Sequence, residues 1–412
     1  MPLRQGQAAG GVVGKTRQLR FGFQFCNMDK ESGKKMLNAQ FSLQGNDMKP
    51  VRRAGEAIVH GIAALLVLGS LLLPGQAQEG APKLQTVPVA KDGTLSVPAQ
   101  AVPVSNLLSP EAKAYVAQHL LDMQDLYTHP GKGLPRFIET YLAAQKAAYP
   151  VGLEDTKIGG VHVYVLTPKE GIAAGNAKRI LIDLHGGGFS GCWPECALLE
   201  STPIASIGKI EVVAIDYREA PEYRFPAASE DVAKVYAELL KKHDPRDIGI
   251  YGCSAGGALT AMSLAWFQQH NLPAPGAAGI FCAGAGGFSP GDAAYTSLPL
   301  GEARMTNAEG KALPPLDYLK DADAGDPLVA QVAHPSVLAK FPSTLILTGS
   351  RDFALSDALN THIQLNKAGA HAELFVWEGL FHGFFYNPGI PESRDAYNTM
   401  VNFFSAHLGV KE

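Results

Sequence analysis

The sequence predicts an α/β fold in which a central, mostly parallel sheet is flanked by helices. Short β-type apolar runs alternate along the chain with amphipathic stretches, the signature of βαβ units. Between Ile248 and Met262 an apolar strand enters a turn holding one serine and passes straight into a helix. At 412 residues, 46% hydrophobic and 18% charged, the chain can bury a large core.

Its beginning has a different character. Residues 1–47 lack sustained periodicity and are rich in Gly, Gln and Lys. From Met48 the pattern changes: Lys49, Arg52 and Arg53 precede the apolar run Ile62 to Leu73, and small residues follow at Gly75 to Ala77. These are the three regions of a secretory signal peptide. The run is too short to span a bilayer comfortably, so no stable membrane span is expected. The expected organisation is an upstream extension at 1–47, a signal peptide at 48–77 and a flexible tail at 78–108. One domain then fills 109–412. Translation is expected to start near Met48 and the product to be periplasmic or secreted. Without residues 1–77 the chain carries 25 basic and 35 acidic residues. No basic patch with interleaved aromatics appears, so nucleic acid is not an expected partner.

Ser109-Pro110-Glu111 opens the first helix, with Ser as cap and Pro in the first turn, running to about Asp125. A second helical stretch covers Leu134 to Ala148. Both precede the first strand, and pattern alone allows either a lid or plain packing on the sheet. Strands follow at Val161–Leu166 and Arg179–Leu184. The second runs into His185-Gly186-Gly187-Gly188-Phe189, where three glycines leave backbone N–H groups unobstructed for an anion. Glu211–Ile215 is the next strand, with a helix from about Ala228 to Lys242. After the serine helix come a strand at Gly279–Cys282 and a Gly-, Pro- and Asp-rich stretch, 284–340. So long a segment reads as an insertion over the site. Its Gly284-Ala285-Gly286-Gly287 is no dinucleotide fingerprint, because Ser289 stands where the third glycine belongs. Thr344–Thr348 and Ala372–Val376 are the last strands, and a helix from Glu392 to Leu408 closes the chain.

The chemistry centres on Ser254. Gly252 and Gly256 bracket it as Gly-x-Ser-x-Gly, a turn that strains the serine at a strand tip beside a helix N-terminus. Glycine is needed there because strand and helix backbones pass too close for a β-carbon. A nucleophilic serine needs a base, and the base needs an orienting carboxylate. In open parallel sheets such groups collect at the C-terminal ends of strands. Asp352 and His382 each lie just past a strand, giving the order Ser, Asp, His. Asp357 instead opens the following helix, His362 lies within it, and His371 precedes its strand. Amides of Gly187, Gly188 and Ala255 are the expected oxyanion donors. The chemistry calls for no cofactor and no metal.

These motifs together resemble the bacterial hormone-sensitive-lipase family of α/β-hydrolase esterases. The resemblance rests on His185–Gly188, on Asp216-Tyr217-Arg218-Glu219-Ala220-Pro221-Glu222, on Phe225-Pro226-Ala227 and on Ser254-Ala255-Gly256-Gly257. It covers roughly residues 109–408. It implies a helical cap from 109–150 and about 284–340, and favours Gly187 and Gly188 as oxyanion donors. It also implies a serine carboxylesterase acting on a small-molecule ester of short to medium acyl chain. Deacetylation of a carbohydrate or aromatic conjugate would use the same triad. A non-catalytic ligand-binding protein on this fold is the alternative of another class, and the presence of His382 argues against it.

The chain departs from the family at Cys253 and Ala258, where Asp and Asn are frequent, and across Cys192–Cys196. Cys192 and Cys196 are close enough in sequence to pair in an oxidising compartment. Nearby His or further Cys ligands for a metal are lacking.

Overall fold

The computed structural model describes residues 87–97, 101–128, 135–287, 291–297 and 316–410. The expected extension and signal peptide, residues 78–86 and 98–100 of the tail, residues 129–134 between the first two helices, and residues 288–290 and 298–315 of the insertion lie outside them. Residues 87–97 form a small turn of their own, with an antiparallel bridge between Val89 and Leu95. Asp92 Oδ1 accepts the Thr94 amide at 3.0 Å within it.

The main body is built on an eight-stranded sheet. In chain order the strands are β1 (Val151–Ile158), β2 (Val161–Pro168), β3 (Ile180–Leu184) and β4 (Glu211–Ile215). They continue with β5 (Ile248–Cys253), β6 (Ala277–Phe281), β7 (Ser343–Gly349) and β8 (Ala372–Trp377). Their spatial order is β1-β2-β4-β3-β5-β6-β7-β8. β1 pairs antiparallel with β2, and β2 with β4. From β4 to β8 every pairing is parallel. The chain therefore winds outward from β3 to β4 and returns to lay β5 on the other side of β3. That reversal leaves a crevice at the C-terminal ends of β3 and β5, where open α/β sheets bind ligands.

Both faces of the sheet are covered, which is why its inner strands read as nearly continuous apolar runs. Side chains alternate between the faces. Ile180, Ile182 and Leu184 of β3 and Val213 and Ile215 of β4 join one core. The helices α4 (Ala227–Leu239), α5 (Ala255–Gln269) and α8 (Leu355–Ala368) cover that side, through Val232, Val235, Leu259, Met262 and Leu365. Leu181, Val212 and Ala214 face the other core. There α1 (Pro110–Thr128), α3 (Glu195–Gly208) and α9 (Pro391–His407) pack through Val116, Ile204, Tyr397 and Phe404. α5 is apolar over almost its whole circumference and buried, as befits a helix in mid-domain. No helix among the described residues is long and apolar enough to cross a membrane.

The strand that the sequence did not announce is β1. Its sequence, Val-Gly-Leu-Glu-Asp-Thr-Lys-Ile, is exposed through most of its length. As an edge strand it needs only one partner, and its charges discourage a second. Hydrophobic alternation is absent because there is almost nothing on it to bury.

The N-terminal helices are held by specific contacts. Ser109 caps α1, its Oγ accepting the Ala112 amide at 3.0 Å. Its own amide and hydroxyl donate to Glu392 on α9 at 2.8 and 2.9 Å. Replacing Ser109 by Ala removes the cap and one arm of this tie. It is expected to lower stability by about 1–2 kcal/mol, read as a shift in denaturant midpoint with unchanged slope.

Candidate active site

The approach of two backbones shapes the site. A β-carbon on Gly252 would lie 2.2 Å from the carbonyl oxygen of Leu184, the last residue of β3, and one on Gly256 would lie 1.6 Å from it. Glycine at both places lets the turn carrying Ser254 nest on the end of β3. Ser254 itself has φ 58° and ψ −121°. A non-glycine residue in that region costs about 1–3 kcal/mol, sustained only by its surroundings. Those include the Ser254 amide, which donates to Phe281 at 2.8 Å, and the Ala258 amide, which returns to the Ser254 carbonyl at 3.0 Å.

The glycine turn continues directly from β3. Gly187 has φ 122° and a β-carbon there would sit 1.9 Å from the Gly191 oxygen; Gly188 has φ 66°. Neither of their amides is used in a hydrogen bond among the described residues. The segment after β4 braces this turn. Tyr217 stacks on His185 with ring centroids 4.4 Å apart, and its hydroxyl donates to the His185 carbonyl at 2.6 Å. The Ala220 amide donates to Phe189 at 2.8 Å. Arg218 locks the brace to α4, reaching Asp231 and Glu230 at 2.7 Å each. Burial holds the His185 imidazole down at about 4, so it is a neutral structural group at physiological pH. Cys192 and Cys196 are joined in a disulfide with α-carbons 5.3 Å apart, fixing the exit of the turn to the start of α3.

Asp352 lies just past β7 and His382 past β8, as the sequence predicts. Asp352 Oδ1 meets His382 Nδ1 at 2.8 Å and accepts the Ala354 amide at 2.8 Å. Its Oδ2 accepts the Thr348 hydroxyl at 2.7 Å. Burial alone would raise this carboxyl, but the His382 charge and these bonds outweigh it and hold the pKa below the ordinary value. The His382 ring lies on Phe353, centroids 4.2 Å apart, and the Gly383 amide is fixed on the Cys282 thiol at 3.2 Å. Since β5, β6, β7 and β8 are parallel neighbours, Ser254, Asp352 and His382 all leave the same edge of the sheet.

Residues 181–386 match the family described as alpha/beta hydrolase fold. The chain belongs to the α/β-hydrolase fold family. It is 29% identical over 305 residues to an acetyl-hydrolase of Streptomyces hygroscopicus, covering 74% of this chain and 99% of that one. An esterase of Acinetobacter venetianus is 28% identical over 246 residues, 56% of this chain and 76% of its own. Among solved structures, that of an esterase E25 matches with TM-score 0.65 and 27% identity, over 76% of this chain and 99% of that one. An esterase from the bacterial hormone-sensitive lipase family shares the fold, with TM-score 0.61 and 24% identity, over 73% and 99% of the two chains. The activity class implied by the motifs, carboxylic ester hydrolysis, agrees with these relatives.

One group in this α/β-hydrolase escapes motif reading. Glu200, on α3, is buried behind both turns. Its Oε1 accepts the Gly186 amide at 2.8 Å and the Tyr386 hydroxyl at 2.5 Å, and its Oε2 accepts the Cys253 amide at 2.9 Å. It sits in mid-helix among small and apolar residues, and a Glu there carries no local signal.

Among the described residues, two groups of side chains bring possible metal ligands within 4.8 Å of one another. Cys282, Asp352 and His382 include the acid–base pair, and burial raises the Cys282 thiol, which disfavours the thiolate a metal needs. His371, Glu373 and His407 lie at the opposite end of β8. A hollow of about 540 Å³ lined by Lys178, Lys242, Arg246 and Asp247 also lies at the N-terminal ends of the strands, away from Ser254.

Backbone contact at the elbow yields a sharp expectation. An alanine methyl at 256 meets a backbone oxygen that no rotamer can move, so Gly256→Ala should cost about 3 kcal/mol or prevent folding. Gly175→Ala, with open space around it, should be nearly silent by the same denaturant titration.

Proposed function

We propose that this protein hydrolyses small carboxylic esters of short to medium acyl chain through an acyl-Ser254 intermediate. The observation that carries this is the bond of the half-buried His382 to the buried Asp352, 2.8 Å long, at the end of the sheet that bears the strained Ser254. His382 Nε2 takes the Ser254 proton as Oγ attacks the ester carbonyl. Asp352 keeps the proton on Nδ1 and stabilises the imidazolium. Amides of Gly187, Gly188 and Ala255 receive the oxyanion; one such donor is worth about 2.7–4 kcal/mol in the transition state. The imidazolium then protonates the leaving alcohol. In the second half a water, losing its proton to His382, releases the acid. Deacetylation of a conjugate would follow the same steps. The intact Asp–His pair argues against a binding protein without turnover.

The helices α1 and α2 (Arg136–Ala148), with the 284–340 segment, are assigned to a cap over the site. Two contacts support this. His119 on α1 stacks on Phe381, next to His382, with centroids 4.5 Å apart, and Tyr318 stacks on Phe189, centroids 4.6 Å apart. Export under the leader at 48–77 is supported by the Cys192–Cys196 disulfide, since such bonds persist in oxidising compartments.

A panel of p-nitrophenyl esters of rising chain length tests the activity. Ser254→Ala should abolish turnover with the fold intact. Asp352→Asn should cut kcat on the order of 10⁴-fold. Asp357→Asn should keep most activity, because Asp357 lies in the first turn of α8, packed on Gly284 and Gly286. Swapped phenotypes would reassign the triad to Asp357. N-terminal sequencing of the exported protein should begin close after Ala77; a mature chain retaining residues 48–77 would refute export by this leader.

A further inference from the structure

We propose that Glu200 is a positioning residue for hydrolysis, clamping the oxyanion turn, the nucleophile elbow and the turn after the base into one frame. It touches no substrate, and its role rests on the Ser254–Asp352–His382 reading. The three groups it holds come from distant parts of the chain. The Gly186 amide precedes the expected oxyanion donors, the Cys253 amide precedes the nucleophile, and the Tyr386 hydroxyl lies four residues beyond His382. From the other side, Gln145 on α2 donates to the Tyr386 carbonyl at 3.1 Å.

Chemistry at this spot selects a carboxylate. Three donors converge on two oxygens, and a carboxylate accepts all three. A glutamine has one oxygen and one NH₂ group, so in either flip a donor faces a donor. With its oxygen toward Gly186 and Tyr386, the NH₂ opposes the Cys253 amide and pushes on the elbow. The reverse flip opposes the Gly186 amide and pushes on the oxyanion turn. A neutral glutamic acid has a related difficulty, because it must find room for its own proton among the same donors.

This makes the frame sensitive to pH. The ionisable groups around Glu200 are Asp183 on β3, Tyr217 after β4, Tyr251 and Cys253 on β5, and His382 and Tyr386 after β8. Burial pushes the Glu200 carboxyl up, against the pull of Tyr386, Gly186, Cys253 and His382, to about 8. Asp183 has only the Ser201 hydroxyl as donor, at 2.7 Å, so Glu200 is the one of the two that ionises first. As pH rises through about 8, Glu200 gains the form that satisfies all three donors and favours the His382 imidazolium. Turnover is therefore expected to rise across that interval.

The experiment compares kcat, KM and the pH profile of wild type and Glu200→Gln on a p-nitrophenyl ester, with folding checked by circular dichroism. Glu200→Gln should lower kcat by up to about 10²-fold, as a misplaced site does, with KM within about twofold. It should also lose the rise in kcat near pH 8. An unchanged kcat, or a lowered kcat that keeps the rise, overturns the inference. If Glu200→Gln does not fold, Tyr386→Phe removes one arm of the clamp and should lower kcat about tenfold; wild-type kcat there overturns it equally. Ser254→Ala run alongside separates the two readings. Turnover surviving in Ser254→Ala removes the triad beneath the inference. Turnover lost there but unaltered in Glu200→Gln removes the clamp alone.

Discussion

Everything in the site follows from how closely β3 and β5 deliver their C-terminal ends. The Leu184 carbonyl occupies the space where side chains at 252 and 256 would be, so the nucleophile turn and the glycine turn are pressed together. Sheet topology makes the meeting inevitable. The chain reverses direction across the sheet at β3, and the two turns face each other over the crevice that the reversal opens. A single added methyl at Gly256 would force the two turns apart. The rest of the structure serves to keep that contact from relaxing.

The bracing has a cost visible in the backbone. Phe189, Cys192, Ser254 and Cys282 all hold positive φ without being glycine, and all sit in or beside the site. Each is fixed by neighbours. The Phe189 carbonyl accepts from Ala220, Cys192 is bonded to Cys196, and the Cys282 amide donates to Leu347 at 2.7 Å. The Asp216–Glu222 motif thus acts through the turn it supports. Tyr217 holds the His185 carbonyl, and Arg218 anchors the whole segment to α4. A substitution there would loosen the glycine turn.

How much of this the sequence revealed depended on whether physics writes locally. Gly252, Ser254 and Gly256 carry their message in five residues, because the steric conflict is between chain neighbours and one adjacent strand. Asp352 could be placed because it follows the buried, apolar β7 and His382 because it follows the short apolar run of the edge strand β8, and Asp357 could be separated from Asp352 by its position in a helix. Two features gave no such mark. β1 has little apolar surface to bury, so its pairing with β2 leaves no periodicity. Glu200 looks like any mid-helix charge, and its three donors come from residues 14, 53 and 186 positions away. A buried carboxylate shows its purpose only once those segments have been folded onto it.

The buried acids show how one side-chain chemistry is divided among tasks by the count of donors around it. Asp352 is enclosed completely, yet it has the His382 ring, an amide and a hydroxyl as partners, and these outweigh burial to keep it ionised. Glu200 has three donors but no cation in contact, and burial lifts it to about 8. Glu219 is lifted by burial to about 7, with the Gly191 amide pulling it back. Asp183, with a single hydroxyl and Glu200 nearby, is pushed well above the ordinary range. Burial is common to all four, so it cannot be what distinguishes them. What differs is how much of the lost hydration each environment replaces. Asp352 is the most fully compensated, and its surroundings favour its ionised form. Glu200, compensated by three hydrogen bonds and a smaller pull from His382, is left near the point of ionisation, holding donors that come from three separate segments.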